Sequence, residues 1–354
     1  MQWGDESGKV ELAAGDAELT GCFSPDSRTQ CPRTIVRAMR LDVPFQHSCM
    51  PFDVKALSRE DFWRELCPDA PLTAQPFDTD TTPYHVDAES VQSAHASLFT
   101  EGYMGLPPLL PPSESVQIAE IVSTVTAAGL PAPFALIYDP IWRALQRIAP
   151  VMSYFLGSEV TFVADDCWTW QVDGVHESKG WDWHRDKWQA PGCFDERGRP
   201  AIVTLWIPFT NSTLENGCIE VLPESCDPSI PNDLVQATVP PGRASFVRPL
   251  PARAGAPLVW NTRVLHRGRS YEPSAREPRI SMGIYVQNSA CQVFKGCEFR
   301  IGDPIPLAER LGMIAGQVLR YGHLYRIAQE LLDACKLWNQ LRAIVIQRRS
   351  LLAG

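Results

Sequence analysis

The sequence predicts a mainly β protein with flanking helices, a jelly-roll sandwich of sheets backed by helical segments. Three observations predict it. Helical patterns come first, short β runs punctuated by Gly and Pro follow, and the chain turns helical again from about residue 305.

Residues 1 to about 85 carry several Pro and Cys residues and little sustained periodicity, so they read as an irregular N-terminal extension. One short helix is expected within it, starting at Ser58 with Asp61 three residues on as a capping-box partner. A second helix runs from Asp87 to about Thr100, and a short strand follows from Tyr103 to Leu106. After the Pro-rich turn LPPLLPPS, Ser113 is placed to cap a third helix with Val116, Ile118, Ile121 and Val122 near one face. Ile141, Leu145, Ile148 and Met152 mark a fourth, over about 140–156.

The period then changes. EVTFVADDCWTWQV, AIVTLWIPFT, CIEVLP, APLVWNT and RISMGIYV are rich in β-branched and aromatic residues and read as strands. Together with the supporting helices they define a domain over 86–304, followed by a helical segment over 305–354. In that segment Leu324, Ile327, Leu331, Ala334, Trp338, Leu341 and Val345 fall at helical spacing, and the end, KLWNQLRAIVIQRR, is basic and amphipathic. Such a helix docks on the sandwich or pairs with its copy in a homodimer.

Composition excludes several classes. The 354 residues, 45% hydrophobic, suffice for one large core. A net charge of -9 argues against nucleic acid as a partner, because phosphate binding needs a concentrated basic surface. No apolar run reaches the length of a membrane span, and MQWGDESGKVEL has neither the basic start nor the apolar stretch of a signal peptide. The 11 cysteines are scattered without C-x-x-C spacing, the pattern of reduced thiols in a cytoplasmic protein.

The chemistry is concentrated in WDWHRDKW, where His184 and Asp186 stand two residues apart. In extended chain, residues i and i+2 point to the same side, so an imidazole and a carboxylate converge. Alone this pair is weak, because H-x-D arises by chance in many chains. The H-R-D string of a kinase catalytic loop does not fit, since Pro191 stands where an Asn is required and no Gly-rich loop is present. His266 ends GAPLVWNTRVLH, about 80 residues on, and Arg276 and Arg279 follow within about a dozen residues. Two His and one carboxylate make the facial triad of non-haem Fe(II) oxygenases, with positions left open on the metal. A guanidinium at a distance suits the remote carboxylate of 2-oxoglutarate. Both arginines lie at workable spacing. Arg279 opens a strand, whereas Arg276 sits in the turn EPSAREP.

On these motifs the chain resembles the phytanoyl-CoA dioxygenase family over about residues 100–288. The likeness rests on GYMGLP, WHRD, VTLWIPFTNSTLENGCIEVLPES, AGAPLVWNTRVLHRG and REPRISMGIYV. It implies a double-stranded β-helix core, an Fe(II) cofactor, 2-oxoglutarate as co-substrate and O₂ as oxidant. It further implies His184, Asp186 and His266 as catalytic metal ligands and Arg279 as the co-substrate anchor. Trp206 and Gln171 are taken as co-substrate residues beside it. Three departures stand out: Gly268 where the family often has Ser, Cys226 ending PESC where P-G-S-H is usual, and a longer spacing from His266 to Arg279. Halogenating relatives have a small residue at the position of Asp186, so a carboxylate there implies oxygen transfer, desaturation or ring closure.

Trp168, Trp170, Trp181, Trp183 and Trp188 crowd the metal pair and suit an apolar or ring-containing substrate. The loop DGVHESKGW, 173–181, has the composition of a mobile lid. His176 within it reads as a surface residue. The competing expectation is a catalytically silent copy of the fold that serves as a binding module.

Overall fold

The computed structural model describes residues 53–73, 88–175, 179–186, 191–291, 293–294, 298–300, 302–322 and 327–353. They fall within one compact unit, His47–Gly354. Leu324, His176 and Trp188 lie outside the described residues.

Among the described residues, six strands form the larger sheet: β1 (Tyr103–Gly105), β2 (Val160–Val172), β3 (Ile202–Pro208), β6 (Leu258–Asn261), β8 (Arg279–Asn288) and β9 (Glu298–Arg300). Their order is β1-β6-β3-β8-β2-β9, and every paired register is antiparallel. The smaller sheet has β4 (Ile219–Leu222) between β5 (Arg248–Leu250) and β7 (Leu265–Gly268). This is a double-stranded β-helix core with helices on one side.

Alternation along the strands sorts the side chains into two layers. Val203, Leu205 and Ile207 of β3, Val259 of β6, and Ile280, Met282, Ile284 and Val286 of β8 join the main core with the helices. Their neighbours on the other face, Trp206, Leu258 and Trp260, pack instead against Ile219 and Val221 of the small sheet. A sheet buried on both faces explains why these strands read as apolar almost throughout. A register irregularity interrupts β2 between Phe162 and Cys167, opposite Val286 and Ile284.

The helical layer comprises α1 (Glu60–Leu66), α2 (Ala88–Thr100), α3 (Pro112–Ala127), α4 (Asp139–Leu156), α5 (Leu307–Tyr321) and α6 (Gln329–Ala353). Two expected starts are displaced. Ser58 ends a 3-10 turn, Val54–Ser58, and α1 begins at Glu60 without a side-chain cap. The Ser58 hydroxyl instead accepts from the Trp338 indole at 3.2 Å, a contact 280 residues distant in sequence. Likewise α3 starts on Pro112 after Pro111, because a proline at the first position loses no helical hydrogen bond. Part of the N-terminal extension is packed into the core: Leu57 and Trp63 are fully buried, and Trp63 stacks on Phe134 at 5.8 Å.

Among the described residues the C-terminal segment forms two helices, α5 and α6. Leu331, Cys335 and Trp338 of α6 dock on the core, whereas Leu337, Leu341, Ile344 and Val345 are exposed. No helix among the described residues is long and apolar enough to cross a membrane.

Candidate metal centre

His184 and Asp186 do not lie on a regular strand. Extended chain at this point is held by one antiparallel bridge, in which His184 N–H donates to the His266 carbonyl and His266 N–H to the His184 carbonyl, each at 3.0 Å. That bridge aligns the two ligand-bearing segments and brings the imidazole centroids within 4.2 Å. One ligand atom from each of His184, Asp186 and His266 lies within 4.8 Å of the others.

The surroundings leave the right atoms free. His184 Nδ1 is 2.6 Å from the Asp182 carbonyl and His266 Nδ1 is 3.0 Å from that of Val264. A carbonyl only accepts, so each Nδ1 donates a proton there and each Nε2 is the nitrogen turned toward the cluster. Asp186 Oδ2 accepts from Thr204 Oγ1 at 2.6 Å and from Trp260 Nε1 at 2.9 Å, and Tyr285 also hydrogen-bonds to this carboxyl. Its Oδ1 lies 3.5 Å from His184 Nε2 and its Oδ2 3.4 Å from His266 Nε2. Burial opposes charge on Asp186, but the facing His266 and His184 imidazoles and the Thr204 and Trp260 donors outweigh it and hold the carboxyl below the ordinary range. Burial, reinforced by His184, pushes the His266 imidazole down to about 4. A neutral imidazole beside an ionised carboxylate is the protonation state that metal ligation requires. The donor set therefore fits a divalent metal of borderline softness, and its members can hold one.

The three residues line a pocket with Trp168, Trp170, Trp181, Trp206, Trp260, Tyr285 and Arg279. Strands β2, β3, β6 and β8 each contribute their inward residues to it. Arg279 is 1% exposed, donates from Nη1 to the Gly217 carbonyl, and lies 5.8 Å from the Trp206 ring centroid. Gly180 and Gly268 make room for its guanidinium: a Cβ on either would come within 3.3 Å of it. Arg276 is exposed.

Gln171 is a correction. It sits beside Trp170 on β2, and alternation turns it to the helical face. There it accepts from Thr126 Oγ1 of α3 at 2.7 Å and donates to Asp173 Oδ2 at 2.9 Å, away from the pocket. Trp183 is also outside the lining, its ring 4.8 Å from the Arg267 guanidinium carbon.

Residues unmarked by the motifs complete the wall. Thr204 and Trp260 were not singled out in the sequence; strand alternation from Trp206 would have found Thr204, two residues before it on the same face. Asp166 was not legible in this way, because it lies within the irregular part of β2, between Phe162 and Cys167. Its carboxylate accepts from Tyr321 of α5 at 2.9 Å and from Arg320 at 3.1 Å. The Tyr321 ring stands 4.7 Å from Trp181 and 5.4 Å from Trp168. The end of α5 thus backs the pocket wall.

Residues 129–272 match the phytanoyl-CoA dioxygenase (PhyH) family. This is the family that the sequence motifs resemble, and the matched span contains His184, Asp186 and His266. It ends before β8, so Arg279 and both C-terminal helices lie beyond it. No curated protein matches the chain. Among solved structures, the chain is similar to the non-heme alpha ketoglutarate dependent epimerase SnoN from nogalamycin biosynthesis, with 20% identity, a TM-score of 0.47, and coverage of 57% of this chain and 82% of that one. It is also similar to EctD from S. alaskensis with 2-oxoglutarate and 5-hydroxyectoine, with 15% identity, a TM-score of 0.43, and coverage of 64% and 86%. Likeness at this level says nothing of substrate.

Proposed function

We propose that the protein is an Fe(II)- and 2-oxoglutarate-dependent dioxygenase. It hydroxylates, desaturates or cyclises a small apolar or ring-containing molecule and releases succinate and CO₂. One observation carries the reading: two imidazole Nε2 atoms and one carboxylate oxygen converge in a pocket that also holds a buried guanidinium.

His184, Asp186 and His266 would hold Fe(II), which together with 2-oxoglutarate supplies the activation of O₂. The protein's own work is placement. Carbonyls of Asp182 and Val264 fix the two imidazole tautomers, and Thr204 and Trp260 fix the carboxylate rotamer. Arg279 offers a planar donor fork to the remote carboxylate of 2-oxoglutarate, with Trp206 along its side. Trp168, Trp170 and Trp181 present aromatic faces to the substrate and displace water from the reacting centre. Asp186 fills the coordination position that a halide would need, so the product carries no halogen.

The test is release of succinate from 2-oxoglutarate across metabolite extracts, with and without Fe(II). The expected result is Fe(II)-dependent succinate above the uncoupled background for some extract. Succinate formation that is indifferent to Fe(II) would sink the reading.

A further inference from the structure

The residue between the two clustered ligands faces away from them. Arg185 is buried, and its Nη2 meets Asp227 Oδ2 at 2.6 Å in an ion pair whose side chains are 1% and 0% exposed. Its Nη1 donates to the Arg263 carbonyl at 2.6 Å. Asp227 is fixed in turn, because its Oδ1 accepts from Ser229 N–H at 2.9 Å and its own N–H donates to the Glu224 carbonyl at 3.1 Å.

Two of these contacts reach toward the segment that carries His266. Arg263 belongs to the turn between β6 and β7, and Val264, the next residue, gives its carbonyl to His266 Nδ1. Asp227 follows β4, which pairs with β7 so that Val221 stands opposite His266. One guanidinium therefore ties the His184–Asp186 segment to the turn that orients His266 and to the neighbouring small sheet. A fully buried pair is a poor source of net stability, since apolar side chains of similar size can replace it at little cost. It is well suited to fixing geometry.

We propose that Arg185 and Asp227 are positioning residues that set the distance between the His184–Asp186 segment and His266, and so the affinity of the site for a divalent metal. This rests on the metal-centre reading above, and the test separates the two.

Co(II) serves as the probe, with its affinity from titration and its geometry from the visible ligand-field bands. Wild-type protein should bind one equivalent; if it binds none, the metal-centre reading itself fails. The double variant Arg185→Met/Asp227→Leu should unfold cooperatively near the wild-type temperature yet bind Co(II) about 10- to 100-fold more weakly, with altered bands. Arg185→Lys, which keeps the charge but not the fork, should fall between the two. The double variant Arg310→Met/Asp139→Leu removes another fully buried ion pair, and should leave Co(II) affinity unchanged. Wild-type Co(II) affinity and spectrum in either folded Arg185 variant would overturn the proposal. So would failure of both Arg185 variants to fold, which would make the pair a folding element alone.

Discussion

Gly180 and Gly268 touch through their backbones: a Cβ on Gly268 would lie 2.8 Å from Gly180 Cα and 3.3 Å from Arg279 Nη1. Gly268 N–H also donates to the Trp181 carbonyl at 3.0 Å, so the contact joins β7 to the approach of the metal pair. The family's frequent Ser at this position has no space here. Gly268→Ser must push the 180–181 backbone or the guanidinium, at a cost of about 1–3 kcal/mol. Borne by co-substrate binding, that cost should raise the KM for 2-oxoglutarate by roughly 5- to 150-fold. Initial rates against 2-oxoglutarate concentration check this; an unchanged KM would show that the site has slack the structure does not.

Removing a triad member tests the centre directly. Asp186→Ala deletes the only carboxylate of the set, leaving two imidazoles that hold Fe(II) poorly. Anaerobic Fe(II) titration should give one equivalent for wild type and well under one for Asp186→Ala, His184→Ala and His266→Ala. Full occupancy in any of them would remove that residue from the ligand set.

The two tryptophans that flank Asp182 should behave differently. Trp181 packs edge-on against Trp170 with centroids 5.7 Å apart and lines the pocket. Trp183 lies near Arg267, which in turn pairs with Glu220 at 2.7 Å. With the substrate returned by the succinate screen, Trp181→Ala should lower kcat/KM by at least about tenfold, the scale of one well-packed aromatic contact. Trp183→Ala should change it by less than about threefold, as expected for a side chain outside the pocket. Equal effects would place both at the entry.

Away from the pocket, Arg310 holds three parts of the helical layer together. Fully buried, it pairs with Asp139 at 2.8 Å and donates to the carbonyls of Ile305 at 2.7 Å and Thr73 at 3.1 Å. Thr73 Oγ1 donates to the same carboxylate at 2.9 Å. Arg310→Ala strands a buried carboxylate and should cost about 3–5 kcal/mol. Urea unfolding would measure it. A loss below about 1 kcal/mol would mean that water or a neighbouring donor replaces the guanidinium.

What the sequence made legible follows from the range of each signal. The strands were readable because enrichment in β-branched and aromatic residues is a local signal, and burial of both faces of β3 and β8 keeps it continuous. The clustering of His184 with Asp186 was readable because i and i+2 spacing in extended chain is itself geometry. Gln171 was misplaced by one residue: on β2 its neighbour Trp170 faces the pocket, and a one-residue error reverses the face. The irregularity between Phe162 and Cys167, which delivers Asp166 to the wall, has no Gly or Pro to announce it. Tyr321 and the Arg185–Asp227 pair depend on contacts 155 and 42 residues apart, which no local pattern encodes. The pattern over 324–345 starts ahead of α6, which begins only at Gln329, because Ile327 before it packs against the same core as Leu331 and Trp338.

Arg279, and not Arg276, should anchor the remote carboxylate of 2-oxoglutarate. Spacing from His266 does not separate them, but placement does. Arg276 is exposed in the turn before β8, where a guanidinium is solvated and contributes little. Arg279 opens β8, is 1% exposed, and shares the inward face with Gly283 and Tyr285 in the pocket lining. The missing side chains of Gly180 and Gly268 leave its fork uncrowded. A charge-assisted bond to a desolvated carboxylate is worth about 1.5–3 kcal/mol, so Arg279→Ala should raise the 2-oxoglutarate KM by roughly 10- to 200-fold. Arg279→Lys should recover only part of this, because an ammonium is a point charge that cannot make two parallel bonds. Arg276→Ala should move KM by less than about threefold if its charge is fully solvated. Measured side by side, the reverse ranking of the two alanine variants would transfer the anchor to Arg276.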